Sequence, residues 1–422
     1  MSGGPVHVWL AVGTDNVKVG QLYGHRRRGT ESATFQYEPS YLARPGAYAV
    51  DPMLPLSSGA FQTPVDLGLF NSFRDSSPDR WGRRLRDRQE KLRAEEADQV
   101  PRQLTELDCL LGARDDLRQG ALRFRTQEPG PFLEIPDLEI PDRAVPALTD
   151  LGDLLAVAAR VENDDAGADE IRRMVQAGSS LGGARPKCHV RDRDGSLAIA
   201  KFPSARTDTW EVMAWEYVLL ELARQAGIRV PEARLERIAN QYVLIVKRFD
   251  RELTTQHRVG YASALTLLEA RDGEQRSYLD IAETIEEVSP HATEDLQELW
   301  RRIAFSVLTS NTDDHLRNHG FLHVGSGQCK LSPAFDLNPN PAAGTKYLTT
   351  AIDEVETRAS IDLVVSIADF FRLSPDEAHQ QVATVRAAVS GWSRVAAAVG
   401  LDRAEISRMR PAFDHPGVEA AD

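Results

Sequence analysis

The sequence predicts an α+β protein: a strand-rich first part leads through a proline-rich break into a mixed α/β region and then a helical second half. Three observations predict it. Apolar and polar residues alternate near the N-terminus, Pro129, Pro131, Pro136, Pro141 and Pro146 crowd one short stretch, and beyond residue 260 apolar residues recur at helical spacing.

In the first part, Val6, Val8 and Leu10 alternate with His7, Trp9 and Ala11, and Gly13-Thr14-Asp15-Asn16 supplies turn chemistry. Val17-Lys18-Val19 and Ala33-Thr34-Phe35-Gln36-Tyr37 continue the strand pattern. The basic run Arg26-Arg27-Arg28 between them fits a solvated turn. From Phe70 to Arg125 the pattern is helical and charge-rich, as in Asp79-Arg80-Trp81-Gly82-Arg83-Arg84-Leu85. These residues form a predicted subdomain, 1–125, and the prolines of 126–146 a connector, since their density forbids a regular helix.

A mixed region follows over 147–252. A helical stretch near 147–177 precedes Ser179-Ser180-Leu181-Gly182-Gly183-Ala184-Arg185-Pro186-Lys187. Cys188-His189-Val190 is a predicted strand, Asp192-Arg193-Asp194-Gly195 a hairpin turn and 197–202 the return strand. A helix is expected at about 210–226, and Tyr242–Val246 forms a short buried strand. The last region, 253–415, is predicted to be helical. Leu296, Leu299, Trp300, Ile303 and Val307 make one apolar stripe, and Ser374 with Glu377 a capping box.

Composition narrows the function classes. With 422 residues, 42% of them hydrophobic, the chain can bury the cores of two or three domains. Its three cysteines stand far apart, which argues against a disulfide framework or a cysteine zinc site and suits a reducing cytoplasm. The first residues lack the pattern of a signal peptide, and no apolar run reaches the roughly 18 residues of a membrane span. A net charge of −13 argues against strong nucleic-acid binding by the chain as a whole.

Four segments carry candidate chemistry. Phosphoryl transfer to a hydroxyl needs a carboxylate that orients the hydroxyl and accepts its proton, and oxygen ligands that hold Mg²⁺ on the phosphates. In Asn311-Thr312-Asp313-Asp314-His315-Leu316-Arg317-Asn318, Asp313 and Asn318 have the five-residue spacing of such a base and metal ligand; Asp314 does not. The plainer reading of Asn311, Thr312 and Asp313 is a capping turn. Asp336, between Phe335 and Leu337, fits a second metal ligand, although Asp-Leu-Asn lacks the glycine of Asp-Phe-Gly; alternatively it opens a turn before Pro339. Lys201 lies in an apolar strand, where a lysine needs a partner or a ligand unless it snorkels from the strand end. Glu216, rather than Glu211, is the expected partner on the following helix. Gly182 and Gly183 would let backbone N–H groups approach phosphate, with Arg185 and Lys187 adding charge, or would simply form a turn. His189 and His323 suit packing roles, and His315 a brace for the base loop. Singly each signal is modest. Their order, glycine loop, lysine strand, glutamate helix, base loop and metal aspartate, is that of a two-lobed kinase.

The strings Ser180–Lys187, Ala200-Lys201-Phe202-Pro203, Val246-Lys247-Arg248-Phe249-Asp250, Asn311–Asn318 and Ala334-Phe335-Asp336-Leu337 resemble the HipA kinases. Val19-Gly20-Gln21-Leu22, Phe35-Gln36-Tyr37 with Tyr41-Leu42, and Leu54-Pro55-Leu56 are similar to that family's N-terminal part. The resemblance implies a divergent protein-kinase-like fold with a mixed α/β N-lobe, an all-α C-lobe and a small N-terminal β subdomain. It implies ATP and Mg²⁺ as cofactors, Asp313 as catalytic base, and Asn318 and Asp336 as metal ligands. Ser180, Leu181, Gly182, Gly183, Ala184, Arg185, Lys187, Lys201 and His315 would help bind ATP, and the backbone of Lys247-Arg248-Phe249 would line the adenine. Many relatives have glutamate where Lys247 stands. Ser180 aligns with a serine whose phosphorylation switches relatives off, with Ser179 as its neighbour. The resemblance further implies a helix-turn-helix, HipB-like antitoxin that makes the DNA contacts, and a protein substrate from translation, such as an aminoacyl-tRNA synthetase. Two other classes compete: a metal-dependent hydrolase built on Asp313, Asp314 and His315, and a catalytically silent nucleotide-binding module acting through an antitoxin.

Overall fold

The computed structural model describes residues 4–133, 145–178, 183–252 and 254–418. The chain divides into two compact units. The first comprises Met1–Thr207, Asp250–Ala262 and His323–Gly327; the second comprises Asp208–Phe249, Ser263–Leu322 and Gln328–Asp422.

In the first unit, strands β1 (Val6–Val12), β2 (Asp15–Arg27), β3 (Thr30–Tyr37), β4 (Ala60–Gln62) and β5 (Leu122–Arg125) form an antiparallel sheet in the order β4-β3-β2-β1-β5. The β2–β3 register closes at Arg27↔Thr30, leaving Arg28 and Gly29 as a two-residue turn with φ of 52° and 86°. That geometry matches the twist of the strands and leaves the arginine run in solvent, as the sequence suggested. Gly20 is obligatory for a different reason: a Cβ there would collide with the Gln36 carbonyl and the Phe35 ring. Val8, Leu22, Phe35 and Phe124 face a core shared with Leu69, Phe70 and Phe73.

Strand β5 departs from the helical expectation for 70–125. Leu122 and Phe124 point inward, while the Arg123 guanidinium lies 3.5 Å over the Phe132 ring and that of Arg125 4.6 Å over Trp9. A four-residue strand is too short for its alternation to stand out, and pairing with β1 decides its form. The helix Arg80–Glu96 is capped by Asp79, whose Oδ1 accepts the Gly82 N–H at 2.8 Å. Helices Leu151–Glu162 and Ala168–Gln176 precede the hairpin of β6 (Lys187–Arg191) and β7 (Leu197–Lys201), which turns at Asp192–Gly195. Most of the proline connector, 134–144, lies outside the described residues.

In the second unit, helix Val212–Gln225 is followed by the hairpin of β8 (Ala233–Ile238) and β9 (Gln241–Lys247). Helix Ala292–Thr309 runs through the core, its predicted stripe fully buried, and the Trp300 indole N–H donates to the Val364 carbonyl at 3.0 Å. Helices Tyr278–Val288, Pro375–Ser390, Trp392–Ala398 and Arg403–Phe413 belong to the same unit. Trp392 stacks on Phe413 at 4.4 Å. The Ser374–Glu377 capping box is present, with the Ser374 N–H 2.8 Å from the Glu377 carboxylate. Two short strands, Gly320–Gly325 and Gln328–Leu331, interrupt a region the sequence suggested was helical; Ser326 and Gly327, both at positive φ, turn the chain between them. Among the described residues, no helix is long and apolar enough to cross a membrane.

Candidate active site

The base loop begins where helix Ala292–Thr309 ends. Ser310 takes the left-handed conformation, φ 52°, and its hydroxyl donates to the Ala412 carbonyl at 2.7 Å. The Asn311 N–H returns to the Ser306 carbonyl at 2.9 Å, which closes the helix and directs the chain into Asn311–Asn318.

Two successive aspartates then take opposite environments. Asp313 is exposed, whereas Asp314 is 4% exposed. The Asp314 carboxylate accepts the Tyr278 hydroxyl at 2.6 Å and that of Ser306 at 3.4 Å, and His319 Nε2 lies 3.2 Å from its other oxygen. Burial pushes its pKa up, but His319 and Tyr278 outweigh burial and hold it below the ordinary carboxylate value. The Tyr278 phenol is pushed well above its usual range by burial and by the adjacent Asp314 charge. Asp314 therefore braces the loop from inside, and Asp313 alone of the two presents a carboxylate to solvent. Among the described residues, no group of three or more His, Cys, Asp or Glu side chains is placed to hold a metal.

Asn318 is 7% exposed, and its side-chain amide donates to the Asp313 carbonyl at 3.0 Å while its backbone N–H donates to His315 at 2.8 Å. With the amide nitrogen so committed, the side-chain oxygen remains as a hard donor of the type Mg²⁺ takes. His315 is half-buried, and its Nδ1 has no hydrogen-bond partner among the described residues.

The loop is laced to the segment carrying Asp336. The Asn338 N–H donates to Asn311 Oδ1 at 2.9 Å, the Asn340 N–H to the Ser310 carbonyl at 3.0 Å, and the Asn340 amide to the Thr312 hydroxyl at 3.0 Å. Thr349 adds its N–H and hydroxyl to the Thr312 carbonyl, at 2.9 and 3.0 Å. Asp336 is half-buried with φ 58°, a conformation aspartate adopts more readily than most side chains. An Asn318 and Asp336 pair supplies too few ligands to cage a cation alone, but suits Mg²⁺ that keeps waters and phosphate oxygens. The lacing residues Asn311, Thr312 and Asn340 were not singled out from sequence as site residues; Asn311 and Thr312, read there as part of a capping turn, instead use their side chains to hold the segment 338–340.

In the same unit, the Phe249 ring lies 5.5 Å from that of Phe335. The Lys247 N–H donates to the Glu232 carbonyl at 2.8 Å and its ammonium lies 3.4 Å from the Glu232 carboxylate. Glu216 is 2% exposed on helix Val212–Gln225, whereas Glu211 is half-buried at the helix start, its pKa raised by burial and by Glu405.

The remaining predicted residues lie in the first unit. Ser179, Ser180, Leu181 and Gly182 fall outside the described residues. Gly183 and Ala184 are exposed, Arg185 and Lys201 half-buried, and Lys187 buried with its ammonium 2.7 Å from Asp79 Oδ2. No sequence signal marked Asp79. His189 is buried, with Nδ1 3.3 Å from the Ala177 carbonyl. His323 stacks on Tyr48 at 4.7 Å, and burial pushes its pKa down to about 4. Both fit packing roles.

A mixed α+β chain with a separate N-terminal β-sheet part and a C-terminal part holding the laced loops defines a two-part architecture, and known families match each part. The HipA-like C-terminal domain matches residues 179–392, and the HipA N-terminal domain matches residues 10–111. The chain belongs to the HipA family. A protein named "Putative kinase" from Haemophilus influenzae is 25% identical over 189 residues, which is 40% of this chain and 54% of that protein. "Putative kinase Y4dM" from Sinorhizobium fredii is 27% identical over 207 residues, 42% of this chain and 50% of that protein. The chain thus matches about half the length of these curated relatives. The HipA structure from Shewanella oneidensis MR-1, solved with HipB and operator DNA, superposes with a TM-score of 0.62 at 15% identity, covering 97% of this chain and 95% of that one, and so shares its fold.

Proposed function

We propose that this protein is a toxin of a toxin–antitoxin pair that acts as an ATP- and Mg²⁺-dependent protein serine/threonine kinase. The observation that carries the reading is the base loop. Asp313 stands in solvent, Asp314 is locked behind it, and Asn318, five residues on, is fixed by the Asp313 carbonyl in a loop laced to the Asp336 segment. Family membership and the kinase names of the relatives support it.

Asp313 orients the substrate hydroxyl and takes its proton as the oxygen attacks the γ-phosphorus, while the bond from that phosphorus to the bridging oxygen breaks and ADP leaves. Asn318 and Asp336 would hold Mg²⁺, which supplies charge neutralisation on the phosphates when bound. Lys201 would contact the ATP phosphates, with Glu216 as its partner, and the backbone of the glycine stretch would help to bind them. His315 steadies the loop beside the nucleotide. The backbone of Lys247–Phe249 lines the adenine; because the Lys247 N–H is already given to Glu232, the other peptide groups of this stretch make those contacts. Such a chain would fold as a two-lobed kinase with an N-terminal β subdomain. A phosphate added to Ser180 or its neighbour Ser179 would compete with the ATP phosphates and switch the enzyme off. Growth arrest follows from phosphorylating a cytoplasmic protein of translation, an aminoacyl-tRNA synthetase being the first to test. A HipB-like antitoxin is the expected partner and makes the DNA contacts, in keeping with the net charge of −13.

The test is incubation with ATP and Mg²⁺, read by intact mass and peptide mapping, beside growth on induction. The expected result is phosphate on Ser180 or on a lysate protein, absent in Asp313→Ala, which also relieves arrest. Arrest that persists in Asp313→Ala at equal expression, with no phosphate transferred by the wild type, would leave the silent nucleotide-binding module as the better reading.

A further inference from the structure

Two lysines face each other across the β6–β7 hairpin, since Lys187 pairs with Lys201 in its register. Side chains directly opposite share one face, and like charges there repel. Lys187 is neutralised from elsewhere in the chain: its Nζ lies 2.7 Å from Asp79 Oδ2, with 4% and 5% of the two side chains exposed. Asp79 uses its other oxygen to cap helix Arg80–Glu96. Gly183, at φ +99°, passes so close that a Cβ there would stand 2.9 Å from the Lys187 ammonium. The ion pair therefore sits against the backbone of the segment that leads into β6.

A second anchor lies where the chain leaves Lys247–Phe249. Asp250 is 2% exposed and accepts the Gly120 N–H at 2.8 Å and Arg251 Nη1 at 2.9 Å; Arg251 Nη2 donates to the Arg118 carbonyl at 2.8 Å. The segment read as phosphate loop and the stretch Asp250–Arg251 thus each make a buried contact with residues 79–120, all within the first unit.

We propose that Asp79 and Lys187 are positioning residues, through which the N-terminal subdomain braces the end of the glycine loop, and that Lys187 acts through Asp79 and not as a free cation for phosphate. The assignment rests on the kinase reading for its consequence, but not for its geometry. A lysine committed to a buried carboxylate fixes where the backbone of Gly183–Lys187 runs.

The test is a double-mutant cycle in the full-length protein: Asp79→Asn, Lys187→Met and both together, with Lys201→Met beside them. Asp79→Asn keeps the oxygen that caps Gly82, so the helix start survives. Affinity is read with a fluorescent N-methylanthraniloyl ATP and Mg²⁺, and backbone order by amide hydrogen exchange over 183–202. Each single change of the pair is expected to weaken nucleotide binding on the order of tenfold, the double change no further, and both to lose protection in 183–191. Lys201→Met is expected to weaken binding while keeping that protection. Asp79→Asn that binds nucleotide and protects 183–191 like the wild type, while Lys187→Met loses binding, would make Lys187 a phosphate ligand and overturn the proposal. Wild-type protein that binds no nucleotide would instead sink the kinase reading, and the exchange data would still decide the brace.

Discussion

Removing a carboxylate that stands in water changes a fold little, whereas removing one that closes a buried network leaves its partners stranded. Asp313 and Asp314 therefore predict opposite phenotypes one residue apart. Asp313→Ala should shift stability by no more than about 0.5 kcal/mol while, on the kinase reading, lowering phosphotransfer by roughly 10²–10⁴. Asp314→Ala strands Tyr278 and His319 and should cost about 3 kcal/mol. Thermal melts beside the kinase assay check both, and a destabilised Asp313→Ala with a native-like Asp314→Ala would reverse the assignment. A second carboxylate gives a pH prediction. Asp51, 1% exposed, accepts the N–H groups of Ser72 and Met53 at 2.8 and 2.9 Å, yet burial dominates and pushes its pKa up to about 6. A pKa raised on folding means the native state binds the proton more tightly. The contribution is full below the ordinary value near 3.8 and is lost as pH rises toward about 6. Urea midpoints from pH 4 to 7 should fall more steeply for the wild type than for Asp51→Asn; equal slopes would refute it. At this scale the Asp313–Asn318 spacing was legible because both roles fall within one loop. Asp79 was not, because its partner lies 108 positions away and nothing local marks the pair.

The longer elements announced themselves. Alternation gave β1 to β3, and the stripe from Leu296 to Val307 gave the buried face of helix Ala292–Thr309, since many residues repeat one period. Strand β5 and the strands Gly320–Gly325 and Gln328–Leu331 escaped because their form depends on neighbours and not on an internal repeat. The candidate site lies between these extremes: its loops are short, but polar side chains tie them together. Asn311 is the central tie, accepting the Asn338 N–H at 2.9 Å and donating to the Ser306 hydroxyl at 3.2 Å. Asn311→Ala leaves a half-buried N–H without its acceptor, a loss of about 1–3 kcal/mol spent locally. On the kinase reading, the Asp336 segment then drifts relative to Asp313, so kcat should fall at least tenfold with KM for ATP little changed, because a misplaced reacting group costs more in the transition state than in binding. Asn311→Asp keeps the acceptor and should recover most of the rate. A rate that falls equally in both variants would show that the tie to Asn338 is not what matters.

At the scale of the whole molecule, the first unit is assembled from three separate stretches of chain, so a cut after Thr207 removes part of its interior. Asp250 and Arg251, which serve the 118–120 backbone, would be lost, as would Arg258, whose Nη2 lies 2.9 Å from Asp115 Oδ2. Asp115 would keep Arg123 at 2.5 Å, but Arg118 would be left in a weakened wall. That arginine is fully buried, donates to the Ser76, Leu110 and Ala113 carbonyls at 2.6, 2.9 and 2.9 Å, and has its pKa pushed down to about 9 by burial. A buried cation whose hydrogen bonds go to backbone carbonyls is tolerated only while the surrounding backbone stays in place, since water entering through a loosened wall competes for those bonds. Residues 1–207 by themselves should therefore melt broadly and at lower temperature than the same residues joined through a flexible glycine–serine linker to 250–262. The linker adds only a slowly growing closure cost and returns Asp250, Arg251 and Arg258 to their partners. Calorimetry on the two proteins decides the matter: a sharp transition at the same temperature in both would mean that the returning stretch contributes nothing to the unit, and that its buried hydrogen bonds to Gly120 and Arg118 are replaceable by water.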